Sequence, residues 1–260
     1  MNPQGRAPIH SVGKAMELLD LLLGQRRPMS LQELTERSGF PKSTVYTLLS
    51  SMRAYSYIEQ KPDGKYYLGV RMYECGRAVS AQWDISGAAR PYLERLAELT
   101  HSTAVITYMG NGHILHLEQF TGRAGVQVLS EVGTRLPLHA TAQGKLYLST
   151  CQDEEVRSLL HAQGMPPFTP HTLGTADAVL EQLALIRRSG YAIENGEYKI
   201  GLRAVCAPVY DQDGLPRYAV GVTGLFRHIS SSEFEAATAA TLETARQISV
   251  SLGCREPGTR

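Results

Sequence analysis

The chemistry this sequence offers most plainly is recognition. Lys42, Ser43, Thr44, Tyr46, Thr47, Ser50 and Arg53 fall on one side of a helical repeat whose other side is Val45, Leu48, Leu49 and Met52. Short polar side chains on a helix's first turns reach base edges in the major groove, whose width admits one helix, while Lys and Arg meet phosphate. Lys61 and Lys65 flank Pro62-Asp63-Gly64, a turn that closes a hairpin between 57–61 and 65–68; a wing there would straddle phosphates. Taken alone, the helix is equally well read as a solvated face. Charge tips the balance. Residues 1–80 hold 11 Lys and Arg against 7 Asp and Glu, whereas 81–260 hold 15 against 18. The basic end is the polyanion binder, and double-stranded DNA is the expected partner.

A second constellation could hold an acid. A helix starting near Thr141 would offer free backbone N–H groups at Ala142 and Gln143 together with the positive end of its dipole, a suitable seat for a carboxylate. In a hairpin pairing 204–210 with 217–223 across Asp211-Gln212-Asp213-Gly214, alternation puts Ala204 and Cys206 on one face, and Ala219, Gly221 and Thr223 on one face. Val205, Val209, Val220 and Val222 take the opposite face, and small residues leave space. The competing readings are a helix cap for Thr141 and a small buried hydrophobe for Cys206.

Catalysis is not expected, and no catalytic residue is assigned. His113 and His116, three apart in a strand, point to opposite faces and cannot chelate one metal together. There is no Gly-x-Ser-x-Gly elbow and no phosphate loop. Gly144-Lys145 reads as a packed glycine beside a solvated lysine, and Cys151 has no evident base. The four cysteines have neither Cys-x-x-Cys spacing nor zinc-finger histidines, so disulfides, metal and cofactors are not expected.

Periodicity gives the helices and strands that carry these groups. Val12, Ala15, Met16, Leu19, Leu22 and Leu23 make the apolar face of a first helix, capped by Ser11 and stopped by Gly24. Ser30 and Glu33 form a capping box for a second helix ending near Ser38-Gly39, and Pro41 opens the third. Three helices and a hairpin give the winged helix-turn-helix order over 1–70. A helical connector over 71–84, with Met72, Cys75 and Val79 roughly in line and Trp83 at its end, leads to a domain over 85–260. There, helices are expected at 85–99, 141–150, 153–161, 175–188 and 231–251, the last opened by a Ser232–Glu235 capping box. Strands are expected at 103–109, 113–119 and 126–129. The fold class is α+β. With 43% hydrophobic and 20% charged residues, no apolar run of membrane length and no secretory leader in residues 1–10, the expected location is the bacterial cytoplasm.

Together, Ser11 to Leu23, Leu31 to Gly39, Pro41 to Leu49 and Tyr66 to Gly69 resemble the DNA-binding half of the IclR family of bacterial transcription regulators. Leu136 to Lys145, Gly190 to Glu197, Gly201 to Arg203 and Ala207 to Asp211 resemble its effector domain. The resemblance implies a GAF-like C-terminal fold that binds a small organic acid of a catabolic pathway, and a homodimer or dimer of dimers. It implies a site of the two amides at Ala142 and Gln143, an acidic residue at Glu194, and positions Ala204, Gly221 and Thr223. Family members carry cysteine at Ala204 and a hydroxyl at Gly221, so a roomier pocket for a bulkier or aromatic acid is expected. Members often carry Arg at Thr47, so base preference does not transfer. The alternative is a GAF-like sensor or enzyme whose winged helix docks protein.

Overall fold

The structure, a computed structural model, describes residues 9–82, 85–122 and 132–254. Trp83 and the strand expected over 126–129 lie outside them. The chain divides into two compact units, 1–84 and 85–260.

The first unit begins with α1 (His10–Gln25), α2 (Leu31–Ser38) and α3 (Lys42–Ala54). The expected box is present in α2: Ser30 Oγ accepts from the Glu33 N–H at 3.2 Å, and the Glu33 carboxylate accepts from the Ser30 N–H at 2.8 Å. Pro41 is the residue before α3 rather than its first turn. In α1 the expected boundaries shift, with Ile9 preceding the helix and Arg26, in a left-handed conformation, ending it after Gly24. The buried face shifts too. Leu18 and Leu22 enter the core with Ala15, Leu19 and Leu21 against it, while Val12, Met16 and Leu23 are about half exposed. The apolar arc of α1 is wider than one core contact needs.

The hairpin is β1 (Ile58–Gln60) and β2 (Tyr66–Leu68), antiparallel with Ile58 opposite Leu68. Gly64 at φ +83° supplies the turn that an L side chain would resist. Ile58 and Tyr66 seal the core formed by Leu34, Val45, Leu49 and Met52. The connector forms α4 (Val70–Gln82).

In the second unit, chain order is α5 (Ile85–Thr100), β3 (Thr103–Gly110), β4 (His113–Thr121), β5 (Arg135–Leu136), α6 (Ala142–Ser149), α7 (Asp153–Gln163), α8 (Ala176–Ser189), β6 (Ala192–Asn195), β7 (Arg203–Tyr210), β8 (Pro216–Gly224) and α9 (Ser232–Ser251). Among the described residues the strands form one antiparallel sheet in the order β5-β4-β3-β8-β7-β6. Its valine face, with Val205, Val209, Val220 and Val222, packs on α5 and α9. The opposite face carries Ala204, Cys206 and Ala219 and packs beneath α6, α7 and α8. Two-residue alternation therefore divides the domain into three layers as the residue pattern predicts. Ser231, not Ser232, caps α9, its Oγ accepting from the Phe234 N–H at 3.3 Å. Among the described residues no helix is long and apolar enough to cross a membrane.

Candidate functional site

In α3, burial of Val45, Leu49 and Met52 turns Lys42, Ser43, Tyr46, Thr47 and Arg53 to solvent, with Thr44 and Ser50 half-buried. Thr47 Oγ1 donates to the Ser43 carbonyl at 2.9 Å, which spends its hydrogen and leaves its lone pairs outward. Arg53 is not free: its Nη1 meets Gln60 Oε1 at 2.5 Å, and Gln60 in turn holds the Gly64 carbonyl at 2.9 Å. This chain of bonds ties α3 to the hairpin tip. Lys61 and Lys65 both stand exposed at that tip. Lys65 is 3.5 Å from Asp63, an exposed pair of little energetic weight that leaves the ammonium available to phosphate.

The second site is a cavity of about 50 Å³ between the small-residue face of the sheet and the start of α6. Val105, Thr223 and Ala204 form its floor from β3, β8 and β7, with His116 on β4 and Glu194 on β6. Thr141 and Gln143 come from the α6 start, and Tyr198 and Lys199 from the loop after β6. Thr141 is a cap and a lining residue at once. Its Oγ1 accepts from the Gly144 N–H at 3.0 Å and donates to the Pro137 carbonyl at 2.7 Å. That arrangement fixes the first turn and leaves the N–H groups of Ala142 and Gln143 as those without an intrahelical acceptor. Gly144 permits the close approach, since a Cβ there would lie 2.4 Å from the Leu138 carbonyl oxygen.

Five of the expected residues, Thr141, Gln143, Glu194, Ala204 and Thr223, meet at this cavity; Ala142, Cys206 and Gly221 do not line it. The reason is packing. A Cβ on Gly221 would lie 2.5 Å from the Val205 carbonyl oxygen and 2.8 Å from the Cys206 Cβ. The space beside Gly221 is occupied by β7, and Cys206 is wholly buried, its thiol pushed up by burial. The room expected at Gly221 is therefore absent.

Electrostatics distinguishes the cavity's ends. Glu194 is 5% exposed, and burial raises its carboxyl to about 7, against the lowering effect of the Tyr198 N–H at 3.1 Å. Glu197 nearby adds to the rise, and Lys145 opposes it. His116, which the sequence pattern did not bring to the site, is 1% exposed, and burial lowers its imidazole to about 4. Its position is detectable only from the register, because β4 sets it opposite Thr107 on the same face as Ile114.

Lys145 corrects a sequence reading. It is fully buried rather than solvated, with Nζ 2.5 Å from Glu197 Oε1 and 2.7 Å from Gln182 Oε1. Burial draws its ammonium below the ordinary lysine value and the Glu197 carboxylate opposes that. The pair joins α6 to α8 and to the loop that carries Tyr198 and Lys199.

Comparison with known proteins covers both units. The sequence model of the IclR helix-turn-helix domain matches residues 11–62, and that of the bacterial transcriptional regulator IclR C-terminal domain matches 77–250. The HTH-type transcriptional regulator XynR of Escherichia coli K12 is 31% identical over 226 residues, covering 86% of this chain and 90% of XynR. A structure described as an IclR transcriptional regulator, from Silicibacter sp. TM1040, superposes with a TM-score of 0.86 at 24% identity over 95% of this chain and 98% of its own. An IclR homologue from Microbacterium hydrocarbonoxydans, complexed with 4-hydroxybenzoate, gives 0.75 at 22% identity over 93% and 98%. With a recognition helix, a wing and a C-terminal α/β domain in this order, the chain belongs to the IclR family of DNA-binding bacterial transcriptional regulators.

Proposed function

We propose that this regulator reads operator DNA with Lys42, Ser43, Thr44, Tyr46 and Thr47 of α3, sets Lys61 and Lys65 of the wing on phosphate, and has its affinity tuned by a small organic acid in the effector cavity. What carries the effector reading is the convergence at one cavity of the α6 N-terminus with polar side chains from β4, β6 and β8. The acid's carboxylate sits at the Ala142 and Gln143 amides, and its body lies over Ala204 toward Thr223 and Glu194.

Size narrows the effector. A cavity that admits benzene measures ~150 Å³, three times the 50 Å³ here, so an aliphatic acid of a few carbons fits better than an aromatic one like the 4-hydroxybenzoate of the Microbacterium homologue. One recognition helix reads only a few base pairs. The half-exposed Val12, Met16 and Leu23 of α1 support pairing with a second copy, and the expected operator is an inverted repeat with half-sites ~34 Å apart or a multiple of that. Dimers of dimers follow the family resemblance. Light scattering at micromolar concentration, alone and with operator, tests this: a monomer in both conditions would refute it.

A further inference from the structure

At the β4 end of the cavity, His116 is 1% exposed and its Nε2 has no hydrogen-bond partner among the described residues. Buried polar atoms in folded proteins are nearly always bonded, so an orphan on a cavity wall marks where a partner arrives. The groups around it do not supply one. On the neighbouring strand, Thr107 spends its hydroxyl on the Ala219 carbonyl at 3.3 Å, and Val105 and Leu136, which also line the cavity, are apolar. The backbone of His116 is already paired, its N–H with the Thr134 carbonyl and its carbonyl with the Gly133 N–H. Among the described residues it is Nε2 that remains unsatisfied.

We infer, resting on the reading of this cavity as the effector site, that His116 is a specificity-determining residue that reads a hydroxyl on the effector, which is therefore a hydroxylated carboxylic acid. The chemistry of the ring selects that group. With its imidazole held near 4 by burial, His116 is neutral at physiological pH. A neutral ring nitrogen is a donor or an acceptor according to tautomer, and a hydroxyl, which does both, satisfies either. Among the described residues that line this cavity, a carboxylate at this end would find no free cation, because Lys145 is spent on Glu197 and Lys199 stands at the solvent side. A methyl group would leave Nε2 as it is, unpaired. The acid end is held elsewhere, at the α6 start, so His116 discriminates between acids without being what captures them.

Calorimetric affinities of the full chain for matched acids test this: acetate with glycolate, propionate with lactate, butyrate with 3-hydroxybutyrate, and benzoate with 4-hydroxybenzoate. The hydroxylated member of at least one pair binds tenfold or more tighter to the wild type. His116→Leu brings that pair within twofold, whereas His116→Gln, which places an amide near the Nε2 position, keeps the preference. No preference in the wild type, or a preference retained by His116→Leu, overturns the assignment even if His116→Gln fails to fold. Ala204→Leu, measured alongside, separates the two readings. If both members of a pair bind equally and Ala204→Leu abolishes both, the cavity stands and His116 is misassigned. If no acid binds, or Ala204→Leu binds all unchanged, the effector cavity itself is wrong and this inference falls with it.

Discussion

Lys145 and Glu197 form a buried ion pair at 2.5 Å that links α6, the helix heading the cavity, to the loop closing its far side. Neither residue lines the cavity, yet Thr141 and Gln143 precede Lys145 on one side of the pair and Tyr198 and Lys199 follow Glu197 on the other. Glu197 Oε1 also accepts from the Asn195 N–H at 3.3 Å, while its Oε2 is buried without a partner among the described residues. Charges so placed are costly to separate, because each alone faces a medium that solvates it poorly.

Removing one partner is therefore expected to destabilise far more than removing both. Lys145→Met should lower unfolding free energy by about 3–5 kcal/mol, and Lys145→Met with Glu197→Leu should recover most of that loss. Urea denaturation of Lys145→Met, Glu197→Leu and the double variant, followed by circular dichroism, measures this; a double loss equal to the sum of the two single losses would mean that the pair carries no coupling.

Glu194 makes stability depend on pH in a stated direction. Its carboxyl rises from 4.5 to about 7 on folding, so between those values the folded chain holds a proton that the unfolded chain has lost. Stability from this group is full below 4.5, falls as pH rises through the window and levels above about 7, a loss of up to ~3 kcal/mol. Glu194→Gln keeps an acceptor for the Tyr198 N–H and should flatten that slope, leaving the variant the more stable at pH 8. An unchanged slope in thermal melts from pH 5 to pH 8 would place the titration elsewhere.

The pattern of types and spacings was enough for the layers and much of the site. Period-two alternation in 203–224 separates valines from small residues, and the capping box at Ser30 and Glu33 closes as the spacing requires. What it could not convey was burial at helices with apolar residues on several sides. In α1, Val12, Met16 and Leu23 fit the helical period as well as Leu18 does, and only tertiary packing selects Leu18 and Leu22. In α6, Lys145 follows Gly144, and nothing local distinguishes a solvated lysine from one whose partner lies 52 residues on. Small residues likewise left room open at Gly221, which the close approach of β7 fills.

The recognition helix and the wing should respond differently to substitution. Ser43→Ala or Thr47→Ala is expected to cost roughly 1–3 kcal/mol on operator and to relax base choice at one position. Lys61→Ala and Lys65→Ala should weaken operator and random duplex alike and each lower the salt slope by about one. Titrations at several salt concentrations distinguish these outcomes; unchanged specificity in both hydroxyl variants would show that another face reads the bases.

Substitutions at two small positions on the same sheet should also part company. Gly221→Ala forces a Cβ against the Val205 carbonyl and the Cys206 side chain, so it should cost about 1–3 kcal/mol of stability by overpacking. Ala204→Leu instead projects into the cavity and should act mainly on ligand binding. If Gly221→Ala melts as the wild type does, β7 and β8 have room that their spacing here does not provide.

Whether an acid in this cavity governs DNA binding is decided by operator affinity measured with and without whichever acid raises the melting temperature, in wild type and Ala204→Leu. A shift of about 5- to 150-fold is expected in the wild type, the size of a typical coupling, and less than twofold in Ala204→Leu, whose ligand-free operator affinity stays within a few-fold of wild type. An equal shift in both proteins would contradict that expectation.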